Sequence, residues 1–312
     1  MAWLTRGARL IESLGPDLVL NNGALPFATG ARSCSLAHDL GWATAAPRFQ
    51  RLRATYKRFA YGRADHVVAL SSEVREGLAT QLGILEAGIL LIPPCIDLPA
   101  YHGGGFEDRE DAILHTGTEA YKNRAATVRA FARLGDRGTR LYVEGPPQPA
   151  LSTLVMDLPS GIRRRIELLG GLDAPRLRRL AGSVRVASFP TRYRVPTASA
   201  TVVEAVATAT PIAGSPSLSA DVLQDGANGL VCRDDQELAA AYRSLLQDST
   251  RWTQASQCAR VLARSFSADR VADAYIDLAG REGQRTSNAR RHPGSDGTPA
   301  APSSDAASRE RR

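Results

Sequence analysis

Short apolar runs alternate with amphipathic helical stretches along most of the chain. Strand-like runs such as PDLVLNN (16–22), ADHVVAL (64–70) and AILHTG (112–117) end in polar or glycine residues, and segments with helical periodicity follow. Runs that are apolar throughout suit strands buried on both faces, because helices cover both sides of a parallel sheet. The pattern therefore predicts an α/β fold built from βαβ units.

The alternation is interrupted by a glycine-rich polar stretch, YHGGGFEDRED at 101–111, and then restarts. We interpret this stretch as a linker between two domains. The predicted domains are 1–102 and 103–262, followed at 263–282 by a helix that packs back on the first domain. Residues 283–312 are rich in Ser, Pro, Gly, Ala and Arg without apolar periodicity, so we expect a disordered tail there.

The length, net charge and cysteine content limit the classes of protein to which the chain can belong. A length of 312 residues suits two domains. The net charge of +7 comes with no nucleic-acid recognition motif, so we expect no specific nucleic-acid partner. The four cysteines form neither a CxxC pair nor a cluster at metal-ligand spacing, and no apolar run suits a signal peptide or a membrane span. These features favour a cytoplasmic protein.

Turns after the predicted strands carry the candidate chemistry of the second domain. Gly117 lets the chain turn after one strand, and Lys122 then offers a point charge to a phosphate. FPTRYRVPTASATVVEAV (189–206) places small and hydroxyl residues before a short helix, whose N-terminus favours an anion. The carboxylate of Glu204 is suited to hydrogen-bonding a diol such as ribose. A carboxylate near a helix start is also electrostatically favourable without any ligand. Further candidate contacts are the backbone near Thr197, Ser199 and Ala200 and the glycine turns at Gly145, Gly170 and Gly171.

Each feature also has a simpler explanation. A glycine after a strand is usually only a turn, and a lysine at a helix start is usually solvated. The order of the segments along the chain favours one shared ligand site between two α/β halves, where strand ends and helix N-termini meet.

Several segments, in order, resemble the family 4 glycosyltransferases, from about Pro16 to Leu278. They are ADHVVALSSEVREGL followed by IPPCID, ILHTGTEAYKN, FPTRYRVPTASATVVEAVATATPIAGS and LQDGANGLVCRDDQELAAA. The resemblance implies the GT-B fold, in which two Rossmann-like parallel-sheet domains face a cleft. It also implies retaining transfer of a sugar from a nucleotide-sugar donor to a glycan or lipid-linked acceptor, without a metal or cofactor.

The resemblance further implies roles for individual residues. It places Lys122 on the donor diphosphate and Glu204 on the donor ribose. His38, with Asp39 beside it, falls near the reacting sugar, although a lone His-Asp pair without this resemblance is more often structural. The remaining donor contacts implied are the diphosphate-binding amides at Ser199 and Ala200 and the base-binding turn at Gly170 and Gly171.

Three features depart from the family pattern. No Asp or Glu occurs at 185–203, where the family has the first glutamate of a pair, at Pro196 or, with a two-residue insertion, at Arg194. Thr118 stands where the family has an arginine, although Arg192 or Arg194 could supply a guanidinium to the diphosphate. The chain begins with a predicted helix instead of a strand and a Gly-rich turn, so we expect an incomplete first domain, through truncation, a misassigned start or remodelling.

Two alternatives therefore stay open beside an active enzyme. One is a catalytically degenerate GT-B-like subunit that binds or acts as a scaffold, and the other is a basic nucleic-acid-binding protein. The stretch 48–63 contains six basic residues and no acid. It is either a solvated helix face or a surface for peripheral contact with anionic lipid at the inner face of a membrane.

Overall fold

The computed structural model describes residues 2–23, 31–41, 47–135, 138–192 and 199–280. The predicted α/β architecture is confirmed, because two parallel sheets follow one another along the chain and helices pack against them. The predicted disordered tail at 283–312 lies outside the described residues. No helix in the described part is both long and apolar enough to cross a membrane.

The first sheet has four parallel strands whose order in the sheet is their order in the chain. They are β1 (Leu18–Asn21), β2 (Arg32–Ala37), β3 (His66–Ala69) and β4 (Ile89–Leu91). The helices of this part are α1 (Ala2–Leu14), α2 (Pro47–Tyr61) and α3 (Ser72–Leu82). Ser71 caps α3 by accepting from Val74 N at 3.2 Å, and Gly83 ends the helix with a φ of 64°.

The second sheet has six parallel strands. They are β5 (Glu110–His115), β6 (Arg140–Glu144), β7 (Ile166–Gly170), β8 (Val184–Phe189), β9 (Ile212–Gly214) and β10 (Gly229–Val231). Their order is β10-β9-β8-β5-β6-β7. The helices are α4 (Arg124–Ala132), α5 (Pro149–Met156), α6 (Ser160–Arg163), α7 (Ala174–Ser183), α8 (Ala200–Ala207), α9 (Asp235–Gln247), α10 (Ser249–Ala263) and α11 (Ala268–Gly280).

Helices cover both faces of the central strands of the second sheet, which explains the apolar run at the centre of β5. Successive residues of β5 point to opposite faces. Ile113 packs with Phe131 of α4 and Tyr242 of α9 on one face. Leu114 packs with Ala181 of α7 on the other.

The connection between the sheets differs from the predicted loose polar break, because it is packed tightly against the second domain. Tyr101 and Arg109 are buried, at 9% and 3% exposure. A Cβ atom added to Gly103 would lie 2.1 Å from Thr208 O, so only a glycine fits this contact. The polar sequence reflects backbone packing here, not exposure to solvent.

Helix α11 returns to the first sheet. Its Val271 and Leu278 belong to one buried cluster with Cys34 and Val68 of the first sheet. The return is joined to the end of the first domain through Ile96, whose N donates to Phe266 O and whose O accepts from Ala268 N, both at 2.9 Å. The chain thus crosses between the two halves more than once.

Candidate functional site

The candidate site lies at the carboxyl ends of β5 and β8, where the strand order of the second sheet reverses. After β5 the chain adds β6 and β7 toward one edge of the sheet. After β8 it adds β9 and β10 toward the other edge. A crevice opens outside the strand ends at such a switch point. The turns that leave β5 and β8 carry Lys122 and Ser199.

Lys122 is a buried cation with a neutral partner. It ends a 3-10 turn, Ala120–Lys122, and is 5% exposed, so it is not the solvated lysine of the simpler explanation. Its Nζ donates to Ser199 Oγ at 2.7 Å and lies 5.4 Å from the centre of the Tyr121 ring. Burial lowers the pKa of Lys122, and the charge of Glu119 partly opposes this shift. Lys122 forms no salt bridge within the described ranges, so an anion entering the site would supply the missing counter-charge.

Helix α8 begins beside this ammonium group. Ser199 is its N-cap residue, and its carbonyl oxygen accepts from Val202 N at 2.9 Å and from Val203 N at 3.0 Å. The N–H groups of Ala200 and Thr201 come before the first intrahelical donor, so they are free to meet a ligand. The predicted contacts at Arg194 and Thr197 lie outside the described residues.

Glu204 lies in the second turn of α8, not near its start. The first turn holds no acidic residue, so the helix-dipole explanation of this carboxylate does not apply. Glu204 lines a narrow cleft together with Thr116, which follows β5, and Arg178 of α7. Tyr101 Oη donates to its Oε1 at 3.0 Å.

The predicted glycine turns follow strands of the second sheet and adopt backbone conformations that suit glycine. Gly117, Gly145 and Gly170 have φ angles of 107°, 115° and 70°, which favour glycine. Gly145 N donates to Gly170 O at 2.7 Å, which joins the turns after β6 and β7. A Cβ atom added to Gly170 or Gly171 would meet no heavy atom within 4 Å, so both face open space.

Positive charge is concentrated at the end of β5. His115 is fully buried, and its Nδ1 pairs with Thr127 Oγ1 at 2.8 Å. Burial, followed by the charges of Arg124 and Lys122, lowers the pKa of His115 to about 3. His115 is therefore neutral at physiological pH, and the two cations beside it set the local potential.

The first-domain candidates His38 and Asp39 directly follow β2 and are exposed. His38 Nε2 contacts the side-chain oxygen of Asn22. Burial, followed by the charges of Glu119 and Asp39, raises the pKa of Tyr121. Tyr121 directly precedes Lys122 in the chain.

Two family matches cover the two halves of the chain. Residues 110–248 match the family described as "Glycosyl transferases group 1", and residues 1–99 match "Glycosyltransferase Family 4". The matched segments together span about three quarters of the chain. The chain belongs to the family 4 glycosyltransferases. Sequence comparison of this glycosyltransferase with curated proteins gives no significant match.

Solved structures confirm the predicted GT-B-like fold of the glycosyltransferase. A sucrose-phosphate synthase from Thermosynechococcus elongatus gives a TM-score of 0.71 at 18% identity, over 88% of this chain and 76% of its own. Anabaena Alr3699/HepE, in complex with UDP-glucose, gives 0.74 at 15% identity, over 89% and 81%. A glycosyltransferase from Rickettsia africae gives 0.71 at 14% identity, over 88% and 79%. At such identities the likeness establishes the fold alone.

Two residues at the site of this glycosyltransferase have no motif signal in the sequence. Arg124 is 5% exposed, and its Nη1 donates to Pro146 O at 3.0 Å, while its Nη2 has no partner within the described ranges. A Cβ atom on Gly145 would lie 2.7 Å from Thr118 Cγ2 and 3.1 Å from Arg124 Nη1. Arg124 thus brings a guanidinium close to Thr118, where the family has an arginine. The second residue, Tyr101, comes from the connection between the sheets.

Proposed function

We propose that this glycosyltransferase moves a sugar from a nucleotide-sugar donor to a glycan or lipid-linked acceptor, with retention of the anomeric configuration. The observation that carries the proposal is the buried Lys122 ammonium, hydrogen-bonded to a neutral hydroxyl at the N-terminus of α8. A donor diphosphate would neutralise this cation and accept from the first N–H groups of the helix. The Anabaena protein of the same fold, in complex with UDP-glucose, supports this donor class.

In the proposed step, the bond between the anomeric carbon and the diphosphate oxygen breaks. An acceptor hydroxyl oxygen bonds to that carbon on the same face, and its proton passes to the leaving diphosphate. The products are a glycoside and a nucleoside diphosphate. Lys122 and the α8 N-terminus stabilise the charge that grows on the diphosphate. Glu204 holds the ribose, while His38 and Asp39 approach the sugar from the first domain.

Membership of the family favours an enzyme over the degenerate binding subunit. The missing acidic residue at 185–203 removes one contact to the donor sugar, but Lys122, the N-terminus of α8 and Glu204 supply the contacts that we propose for the nucleotide part. The chemistry proposed above needs no proton transfer to that missing carboxylate. We therefore retain transfer as the function and assign the donor sugar's hydroxyls no fixed partner.

The variant Lys122→Met tests the proposal because stability and binding should change in opposite directions. It removes a buried charge but keeps a long unbranched side chain, so the free energy of unfolding should stay equal or rise. Calorimetry with UDP, GDP and ADP should detect binding of at least one of them by the wild type. The variant should bind that nucleotide about 30-fold more weakly, since a charge-assisted contact is lost.

Lys57 provides a matched control, because Lys57 and Lys122 are the only lysines of the chain and burial lowers the pKa of both. Lys57→Met should leave nucleotide binding unchanged. Equal affinity in the wild type and Lys122→Met, or no binding of any of the three nucleotides, would contradict the proposed donor class. Retention is tested by incubating the wild type with UDP-, GDP- and ADP-sugars. NMR then identifies the anomeric configuration of the first product formed.

We also propose that the glycosyltransferase docks on anionic lipid at the cytoplasmic face of a membrane through α2. Large apolar side chains spaced three, four and three residues apart form an exposed stripe on this helix. They are Phe49, Leu52, Tyr56 and Phe59, exposed by 47%, 69%, 47% and 56%. Arg51, Arg53 and Arg58 are exposed around the stripe, and the helix contains no acid. Apolar side chains flanked by cations suit a helix lying in an anionic lipid interface.

Co-sedimentation with vesicles tests this contact. The wild type should bind phosphatidylglycerol-containing vesicles, and binding should fall at high salt and on pure phosphatidylcholine. Leu52→Ser combined with Phe59→Ser should abolish most of the binding. Leu85→Ser, which changes a side chain 63% exposed outside α2, is the control and should bind like the wild type. Undiminished binding by the α2 double variant would refute docking through this helix.

A further inference from the structure

The carboxylate of Glu204 is held by a side chain from the connection between the domains. Tyr101 Oη donates to Glu204 Oε1 at 3.0 Å. The guanidinium of Arg178 covers the Tyr101 ring, with Cζ 5.0 Å from the ring centre. Burial, followed by the charge of Glu204, raises the pKa of Tyr101, so the hydroxyl stays protonated and remains a donor.

The connection is held close to α7 and α8 at two glycines. A Cβ atom on Gly103 would lie 2.1 Å from Thr208 O, just after α8. A Cβ atom on Gly182, in α7, would lie 2.0 Å from His102 O. Because backbone meets backbone at both points, the phenol of Tyr101 is kept beside Glu204.

The cleft next to this pair contains polar atoms that the protein does not use. Thr116, Arg178 and Glu204 line it together with apolar side chains. Thr116 Oγ1 and Arg178 Nε are buried and have no hydrogen-bond partner in the described part of the chain, and Thr116 is 5% exposed. Buried polar atoms are nearly always hydrogen-bonded, so a water molecule or another polar group is expected beside these two.

We propose that Tyr101 and Arg178 are positioning residues that aim the Glu204 carboxylate at the ribose of the donor nucleotide. The inference rests on the proposed function. Tyr101 occupies Oε1 and fixes the rotation of the carboxylate, which leaves Oε2 to accept from ribose hydroxyls. Arg178 holds the phenol ring by stacking. A carboxylate fixed before binding loses less conformational freedom when the nucleotide arrives.

The test compares a nucleoside diphosphate with its 2′,3′-dideoxy form, which lacks both ribose hydroxyls. The probe is whichever of UDP, GDP and ADP binds the wild-type full chain most tightly by calorimetry. Tyr101→Phe keeps the ring and its stacking but removes the hydroxyl. It should weaken binding of the ribonucleotide about fivefold and of the dideoxy form less than about twofold. Arg178→Met should show the same selectivity with a smaller loss.

A double variant shows whether the hydroxyl acts through the carboxylate. Glu204→Gln combined with Tyr101→Phe should bind the ribonucleotide no more weakly than Glu204→Gln alone, because the two groups form one unit. Tyr142→Phe is the matched control. Tyr142 Oη donates to the two carboxylate oxygens of Glu110 at 2.9 and 3.0 Å, and neither residue lines the cleft. This variant should leave both affinities unchanged.

Other outcomes separate this inference from the function on which it rests. Equal weakening of both nucleotide forms by Tyr101→Phe, or additive losses in the double variant, would overturn the positioning role. If Glu204→Gln loses the preference for the ribonucleotide while Tyr101→Phe keeps it, this inference alone fails. If the wild type binds none of the three nucleotides, the proposed function is wrong, and the inference that rests on it is wrong as well.

Discussion

Among single residues, Gly171 offers a way to separate ligand contact from folding. It lacks the positive φ of Gly170, and a Cβ atom added to it meets nothing within 4 Å. Gly171→Ala should therefore leave the thermal unfolding temperature unchanged. If a base lies on this turn, the added methyl group should cost about 1–3 kcal/mol, which is a rise of about 5- to 150-fold in the Kd of the nucleoside diphosphate measured by calorimetry.

Gly161 provides the control for that prediction. A Cβ atom there would meet only Arg164 Nη2, at 3.9 Å, an ordinary contact on α6. Gly161→Ala should leave the affinity unchanged and should not lower the stability, because alanine suits a helix better than glycine. A Gly171→Ala variant that binds nucleotide as tightly as the wild type would show that the base lies elsewhere.

Sequence reasoning reaches some of these residues and not others for a physical reason. Lys122 and Glu204 stand at recognisable places in strand-turn-helix segments, so their types and spacing suggest phosphate and diol contacts. Tyr101 gains its partner only when the connection folds across α7 and α8. Arg124 is one of many arginines in the sequence, and only its burial beside Pro146 sets it apart.

Among the elements, the connection between the sheets depends on one buried guanidinium. Arg109 donates to Gly104 O at 3.1 Å, to Val184 O at 3.0 Å and to Thr208 O at 2.6 Å. It thereby ties the connection to the start of β8 and the end of α8. Arg109→Lys should leave several of these carbonyls without a donor, since an ammonium cannot match the planar fork. The expected loss is about 3 kcal/mol in the free energy of unfolding, measured with urea.

Arg140→Lys is the control for this prediction. Arg140 pairs with Glu110 and Glu167, but its side chain is 45% exposed. Exposed ion pairs contribute little, so the variant should lose less than about 1 kcal/mol. Equal losses in the two variants would mean that Arg109 does not anchor the connection.

The strand-like runs form strands where the sequence analysis expects them. Residues 16–22 contain β1, residues 64–70 contain β3 and residues 112–117 overlap β5. Helix α10 has no counterpart among the predicted elements, because its buried face consists largely of small residues around Trp252. Hydropathy does not predict the packing of the connection either, because glycine backbone and one buried arginine make its contacts.

At the level of the whole molecule, two carboxylates join the domains. One belongs to each domain, and each accepts hydrogen bonds from the other domain. Glu73 of α3 accepts from Ser219 Oγ at 2.6 Å and from Ala220 N at 2.9 Å. Asp221 of the second domain accepts from Ser72 N at 2.6 Å and from Ser72 Oγ at 2.9 Å, at the N-terminus of α3. These four hydrogen bonds add to the contacts of α11 and Ile96 in holding the first domain against the second.

Acid should weaken this contact. Burial raises the pKa of Glu73, but hydrogen bonds from Ser219 and Ala220 outweigh it, so the pKa lies below its ordinary value of 4.5. A carboxylate with a lowered folded-state pKa contributes stability that is present above the unfolded-state value. That contribution is lost as the pH falls through the folded-state value, below 4.5. The stability difference between the wild type and Glu73→Gln should therefore shrink below this pH.

Glu73→Gln combined with Asp221→Asn tests what the contact does for function. The Kd of the nucleoside diphosphate should stay within about twofold of the wild type, because that site is built by the second domain. Transfer needs the two domains to be held in the correct relative orientation, so the kcat/KM of transfer should fall about tenfold. Glu237→Gln, which changes a carboxylate paired with Arg233 on the second domain, should alter neither. A parallel fall in nucleotide affinity and kcat/KM would mean that the contact stabilises the fold without setting the cleft.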